Sequence, residues 1–208
     1  MADATAAPGP AHPESKRYTS VAIAFHWVIA ALLVGMVFYG WWMEGLRDAA
    51  NEGEVSFATV QSAYNWHKTT GIAILVLSLA RLGWRFTHKV PPLPPHMNAF
   101  ERVAARFTHV GFYAVMIGAP IGGWVTASAT SFPTHLFNID ALVLPRLPVP
   151  QSSEFYETAG SVHGAGGWVI LVLLALHGGA ALKHHFVDRD GVLQRMIPGL
   201  NVPPQDKA

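Results

Sequence analysis

The residues of this chain with chemistry to offer are its histidines. There are 11 of them in 208 residues, and the chain is otherwise 51% hydrophobic and only 13% charged. Five, His26, His67, His109, His163 and His177, fall inside long apolar runs, where an ionisable side chain is costly and is usually kept for function. There is no cysteine, which excludes disulfides, iron–sulfur clusters, thiolate metal sites and covalently attached c-type haem. What remains open to these imidazoles is axial ligation of a non-covalent b-type haem, or ligation of a bare metal ion.

Spacing narrows the choice. His163 and His177 are fourteen residues apart, which on a helix is within roughly 40° of a whole number of turns and about 21 Å along the axis. Two rings would then leave one face of one helix near its opposite ends. A macrocycle standing against a helix also needs little side chain one turn beyond its ligand. Four residues after His26, His67, His163 and His177 come Ala30, Gly71, Gly167 and Ala181, all small, whereas His109 is followed there by Tyr113. His109 is therefore read as a hydrogen-bonded support, at a haem propionate for instance, rather than as a ligand. Arg81 and Lys68 are the neighbouring cations. Arg81 either snorkels to the interface or pairs with a propionate of one haem, and Lys68 stands near the other. His184 and His185 read as solvated or interfacial, with Lys183 or these histidines in reach of propionates or a quinone headgroup. His12, His88, His96 and His135 read as surface residues of tails and loops.

The elements that must position these residues are four apolar runs, Ser20–Met43, Ala63–Phe86, Phe107–Ala127 and Gly160–Leu182, each long enough for a bilayer-spanning helix. Such a chain is not expected to be a soluble globular enzyme, a disordered chain or, at net charge +1, a nucleic-acid binder. The expected fold is all-α, an integral-membrane four-helix bundle over residues 18–198. Residues 1–17 read as a disordered tail before a retained helix, and 199–208 as a second tail. Ten of the 14 Lys and Arg lie in residues 1–17, the loop Arg85–Arg106 and the segment from Lys183 onward, so both termini are expected to be cytoplasmic. The opposite face carries seven acids against Arg47, Lys68 and Arg146, a net −4. On this topology His26 and His177 share the inner level, and His67 and His163 share the outer one. That stacking suits two bis-histidine haems.

Several blocks resemble the bacterial cytochrome b561 family, which also embraces the cytochrome b subunits of nickel–iron hydrogenases. They are Phe25–His26–Trp27, Trp66–His67–Lys68 with Gly71, Arg81–Leu82–Gly83–Trp84–Arg85, and His109 to Tyr113 with Pro120 and Gly123. His163, Leu176–His177, Ala181–Phe186 and Asp190–Pro198 complete them, so that the likeness runs from Tyr18 to Pro198. The resemblance implies haem ligation by His26, His67, His163 and His177, one-electron transfer across the bacterial inner membrane, and quinone as a partner at one end. Some family members are held to oxidise superoxide at the outer face and reduce ubiquinone. The alternatives are an electron carrier, either an anchor subunit wiring a dehydrogenase or hydrogenase to quinone or a partner of a soluble c-type cytochrome, and, more remotely, a histidine-based metal transporter. Against the transporter, none of the 13 acids lies deep in a span. Against superoxide, an outer face at net −4 repels an anion.

Overall fold

The computed structural model describes residues 17–200, so all of the expected tail 1–17 but Arg17, and all of the expected tail 199–208 but Gly199 and Leu200, lie outside the described residues. Four long helices dominate: α1 (Ser20–Asn51), α2 (Phe57–Thr87), α3 (Ala99–Ser128) and α4 (Ser153–Lys183). All four are long and apolar enough to cross a membrane. They alternate in direction. One end of the bundle holds the start of α1, the end of α4 and the α2–α3 connection, and is called here the terminal end. The other holds the α1–α2 and α3–α4 connections and is called the hairpin end, since residues 129–152 carry a two-residue antiparallel pair, β1 (Thr134–His135) with β2 (Val143–Leu144).

The helices outrun the apolar runs. α2 starts at Phe57 rather than Ala63, α3 at Ala99 rather than Phe107, and α4 at Ser153 rather than Gly160. The reason is local. Ser56, Asn98 and Ser152 each cap a helix N-terminus through a side-chain oxygen, and Asn98 forms a reciprocal capping box with Glu101. These polar caps nucleate helix beyond the apolar window, in turns that hydropathy alone does not register.

Packing is inverted relative to a water-soluble protein. A small core of Ile29, Leu33, Val37, Ile74, Met116 and Ile170 sits on the bundle axis. Large apolar side chains point outward instead, among them Phe38, Val76, Phe107, Val110, Val162 and Val172, each more than half exposed. An apolar surface of this extent needs an apolar solvent.

Both ends are tied by polar contacts. At the hairpin end Asn65 donates through Nδ2 to Asn138 Oδ1 at 2.9 Å, and Thr69 Oγ1 accepts from the backbone N–H of Phe137 at 2.9 Å. Phe137 and Asn138 both take left-handed backbone (φ 56°), a conformation costing about 1 kcal/mol or more per residue that the docking on α2 must offset. At the terminal end α4 runs into one wide turn, His184–Asp188, and Arg189 then adopts φ 51°. That reversal swings Asp190 back onto the helix.

Candidate cofactor centre

Two histidine pairs form, one at each end of α4. His26 and His177 have ring centres 6.0 Å apart, and His67 and His163 have theirs 5.9 Å apart. The depths match. His26 lies six residues from the start of α1, and His177 lies six from the end of α4. His67 and His163 each lie ten residues from the start of their helices. These outer positions are almost three turns deep rather than one, because α2 and α4 begin earlier than their apolar runs.

The pairs fit a haem on geometry. Imidazoles on opposite sides of one first-row metal ion, each bonded at about 2 Å, stand with their ring centres about 6 Å apart. The donor set fits as well: neutral imidazoles with no carboxylate among the described residues in contact with either pair. His67 Nδ1 is buried and has no hydrogen-bond partner among the described residues, so this ring has an unmet polar demand. Beside it, a Cβ added at Gly71 would meet no described atom within 4 Å. The expectation of empty flanks is not uniform, however. A Cβ at Gly167 would touch Val37 Cγ1 at 3.7 Å, so this glycine serves helix packing against α1.

The two pairs have different surroundings. His163 Nδ1 donates to the carbonyl of Ala119 at 3.0 Å, which leaves Nε2 as the lone-pair nitrogen of the neutral ring. The ring reaches Ala119 only because residue 123 is glycine: a Cβ there would lie 2.9 Å from His163 Cε1. Gly123 is a positioning residue that no helical periodicity singles out. It is legible only once the approach of α4 to α3 is known.

The level at the terminal end holds three histidines, not two. His109 approaches His177 with ring centres 5.5 Å apart, and Phe112 completes the group at 5.6 Å from the same ring. Arg81 lies inside this group. Its Nη1 is 3.3 Å from His26 Nδ1, and its guanidinium sits 6.0 Å from the centre of the Tyr113 ring. So Arg81 does not snorkel away; it stands against a proposed ligand. It also walls a narrow cleft lined by Tyr18, Thr19, Trp84, Arg85, Lys89 and Met196 among others. Lys68 is half-buried at the outer level, and its ammonium has no hydrogen-bond or ion-pair partner among the described residues.

Of the remaining described histidines, His88 and His96 are exposed as expected, and His184 and His185 are not. His184 and His185 are buried, at 5% and 6% exposure, rather than solvated. His184 Nδ1 lies 2.7 Å from Asp190 Oδ2 and 3.0 Å from Asp188 Oδ2, and Asp190 also takes His96 Nε2 at 3.1 Å. The left-handed turn at Arg189 is the cause, since it returns the acid to the ring. His88 stacks on Trp84 with ring centres 3.7 Å apart, and the backbone N–H of His135 donates to Asn65. Each is a structural tie of a helix end.

The chain is similar along most of its length to known proteins. The model of the prokaryotic cytochrome b561 family matches residues 17–199. "Cytochrome b561 homolog 2" of Escherichia coli (strain K12) is 30% identical over 182 residues, covering 88% of this chain and 92% of that protein. "Probable superoxide oxidase CybB" of Yersinia pestis is 26% identical over 183 residues, 88% and 97% of the two chains. "Cytochrome b562" of Cereibacter sphaeroides is 28% identical over 180 residues, 86% and 94%.

Proposed function

The chain belongs to the prokaryotic cytochrome b561 family, and from that premise we propose that it carries electrons across the bacterial inner membrane through two b haems. His26 and His177 would hold one, His67 and His163 the other. The observation that carries this reading is the pair of matched ring separations, 6.0 and 5.9 Å, at opposite ends of a single helix. Each haem, when bound, supplies reversible one-electron exchange at its iron.

The chain's own residues do the rest. α4 fixes the two levels about 21 Å apart along its axis. Ala119 and Gly123 hold the His163 ring, and the outward apolar surface keeps water from both levels. At the terminal end, taken as the cytoplasmic side, the cleft walled by Arg81 offers guanidinium and phenol groups to the carbonyl oxygens of a quinone. One-electron transfer between haem levels calls for no general base, and none is assigned.

A relative named as a probable superoxide oxidase makes superoxide a candidate donor at the hairpin end. The net −4 of that end favours a second donor class, a basic soluble c-type cytochrome, because the long-range field repels an anion and attracts a cation. Lys68 is the local charge that could still draw in an anion. Stopped-flow mixing of the oxidised protein with superoxide, ubiquinol or reduced cytochrome c separates the donors. Rapid haem reduction by superoxide or cytochrome c, followed by reoxidation on adding ubiquinone, is the expected result. A chain reduced by none of the three, or reduced but never reoxidised by quinone, contradicts the reading.

A further inference from the structure

A second group of metal-ligating side chains lies outside the two histidine pairs, at the terminal end. α4 gives way to the wide turn at His184, about 10 Å along the axis beyond His177. His184 Nδ1 lies 2.7 Å from Asp190 Oδ2 and 3.0 Å from Asp188 Oδ2. His96 Nε2, from the α2–α3 connection, lies 3.1 Å from the same Asp190 oxygen. Two nitrogens and two oxygens thus come together from two segments of the chain.

Hydrogen bonding does not account for the whole arrangement. His184 Nδ1 carries at most one proton, yet two carboxylate oxygens face it. The ligating atoms of His184, Asp188 and Asp190 all lie within 4.8 Å of one another, and the Asp190 side chain is only 2% exposed. Carboxylates held this close repel unless a cation stands between them. Lys183 supplies one, at 2.7 Å from both Asp188 and Glu101. With neutral imidazoles, Glu101, Asp188 and Asp190 against Lys183 still leave the group two negative charges, which a divalent cation matches.

The contacts around the group are those a ligand set needs. The Val192 backbone N–H donates to Asp190 Oδ1 at 3.1 Å, which leaves Oδ2 to the imidazoles. Asp188 is held by Lys183, which Glu101 fixes in turn. His96 is exposed, so an ion can enter from the terminal end. Four donors bonded to one ion at about 2.0–2.2 Å stand about 3.3 Å apart, so these contacts need only lengthen by roughly 0.2–0.6 Å.

We propose that His96, His184, Asp188 and Asp190 form a site for one divalent transition-metal ion of the zinc class. Calcium and magnesium prefer all-oxygen sets and cuprous copper prefers sulfur, whereas four nitrogen and oxygen donors suit zinc. Each imidazole binds as the neutral tautomer with its proton on the other nitrogen, Nε2 of His184 and Nδ1 of His96. The ion fastens the α2–α3 connection to the turn after α4. Zinc has no redox chemistry, so the site is structural and stands or falls separately from the haem reading above.

Zinc titration of the purified holoprotein tests this, with haem content measured in the same sample. The expected result is one zinc per chain in addition to the haem iron. A zinc-edge X-ray absorption spectrum should show nitrogen and oxygen ligands at about 2.0–2.2 Å. The melting temperature should rise with added zinc, because the ion binds the folded chain. His96→Ala removes an exposed ligand and leaves the buried contact of His184 with Asp190 in place, so the chain should fold while its zinc affinity drops by about tenfold or more. Asp190→Asn should lose affinity likewise, and His135→Ala, at the hairpin end, should not. The inference is overturned if the haem-loaded chain takes up no zinc, or if either His96→Ala or Asp190→Asn binds it as tightly as the wild type. Zinc taken up only in proportion to missing haem would place the ion at the histidine pairs, and overturns it too.

Discussion

At the residue scale the choice falls between His26 and His109 as the partner of His177, whose ring centres lie 6.0 and 5.5 Å away. Tyr113, one turn beyond His109, stands against Arg81 and closes the space a macrocycle would need on that side. His26→Ala is therefore expected to lose one haem, while His109→Ala keeps both with a changed spectrum at the inner level; haem content and low-temperature absorption spectra check this. Gly123 gives a second residue-scale prediction. Gly123→Ala would put Cβ 2.9 Å from the His163 ring and force it off Ala119, so the outer haem should bind more weakly. Gly122→Ala, where a Cβ meets nothing within 4 Å, should leave haem content unchanged. The four candidate ligands were legible in the sequence from their spacing and small followers. Gly123 and the Arg81 contact were not, because both depend on how close a second helix comes.

At the element scale the ends of the helices are held by polar contacts that hydropathy cannot reveal. Asp190 joins His184, His96 and the backbone N–H of Val192, and so fastens the end of α4 to the α2–α3 connection. Asp190→Ala leaves His184 only the longer contact to Asp188 and unties His96 and the Val192 N–H, and should cost about 1–3 kcal/mol. Thermal unfolding in detergent checks the loss, and the haem spectrum should be retained in the folded fraction. At the other end Asn65→Ala removes the bond to Asn138 and should release the 129–152 hairpin from α2. Hydrogen exchange at Phe137 and Ile139 is the readout, and faster exchange confined to that hairpin is expected. The four helices themselves were plain from apolar runs of bilayer length. Their true starts were not, because the capping turns at Ser56, Asn98 and Ser152 are polar. The burial of His184 is not legible in the sequence, because the left-handed Arg189 that folds Asp190 back onto it leaves no periodic trace.

At the scale of the whole molecule, the bundle puts two imidazole pairs at matched depths inside an apolar surface, with a net negative charge at the hairpin end and Arg81 beside the pair at the other. Family membership implies haem b, and the proposal that these two pairs hold it rests on their ring separations of 6.0 and 5.9 Å. A pyridine haemochrome measurement on the purified wild-type chain tests this most directly. The account predicts two b haems for each polypeptide. A single haem or none, with histidines free to bind zinc instead, would contradict it.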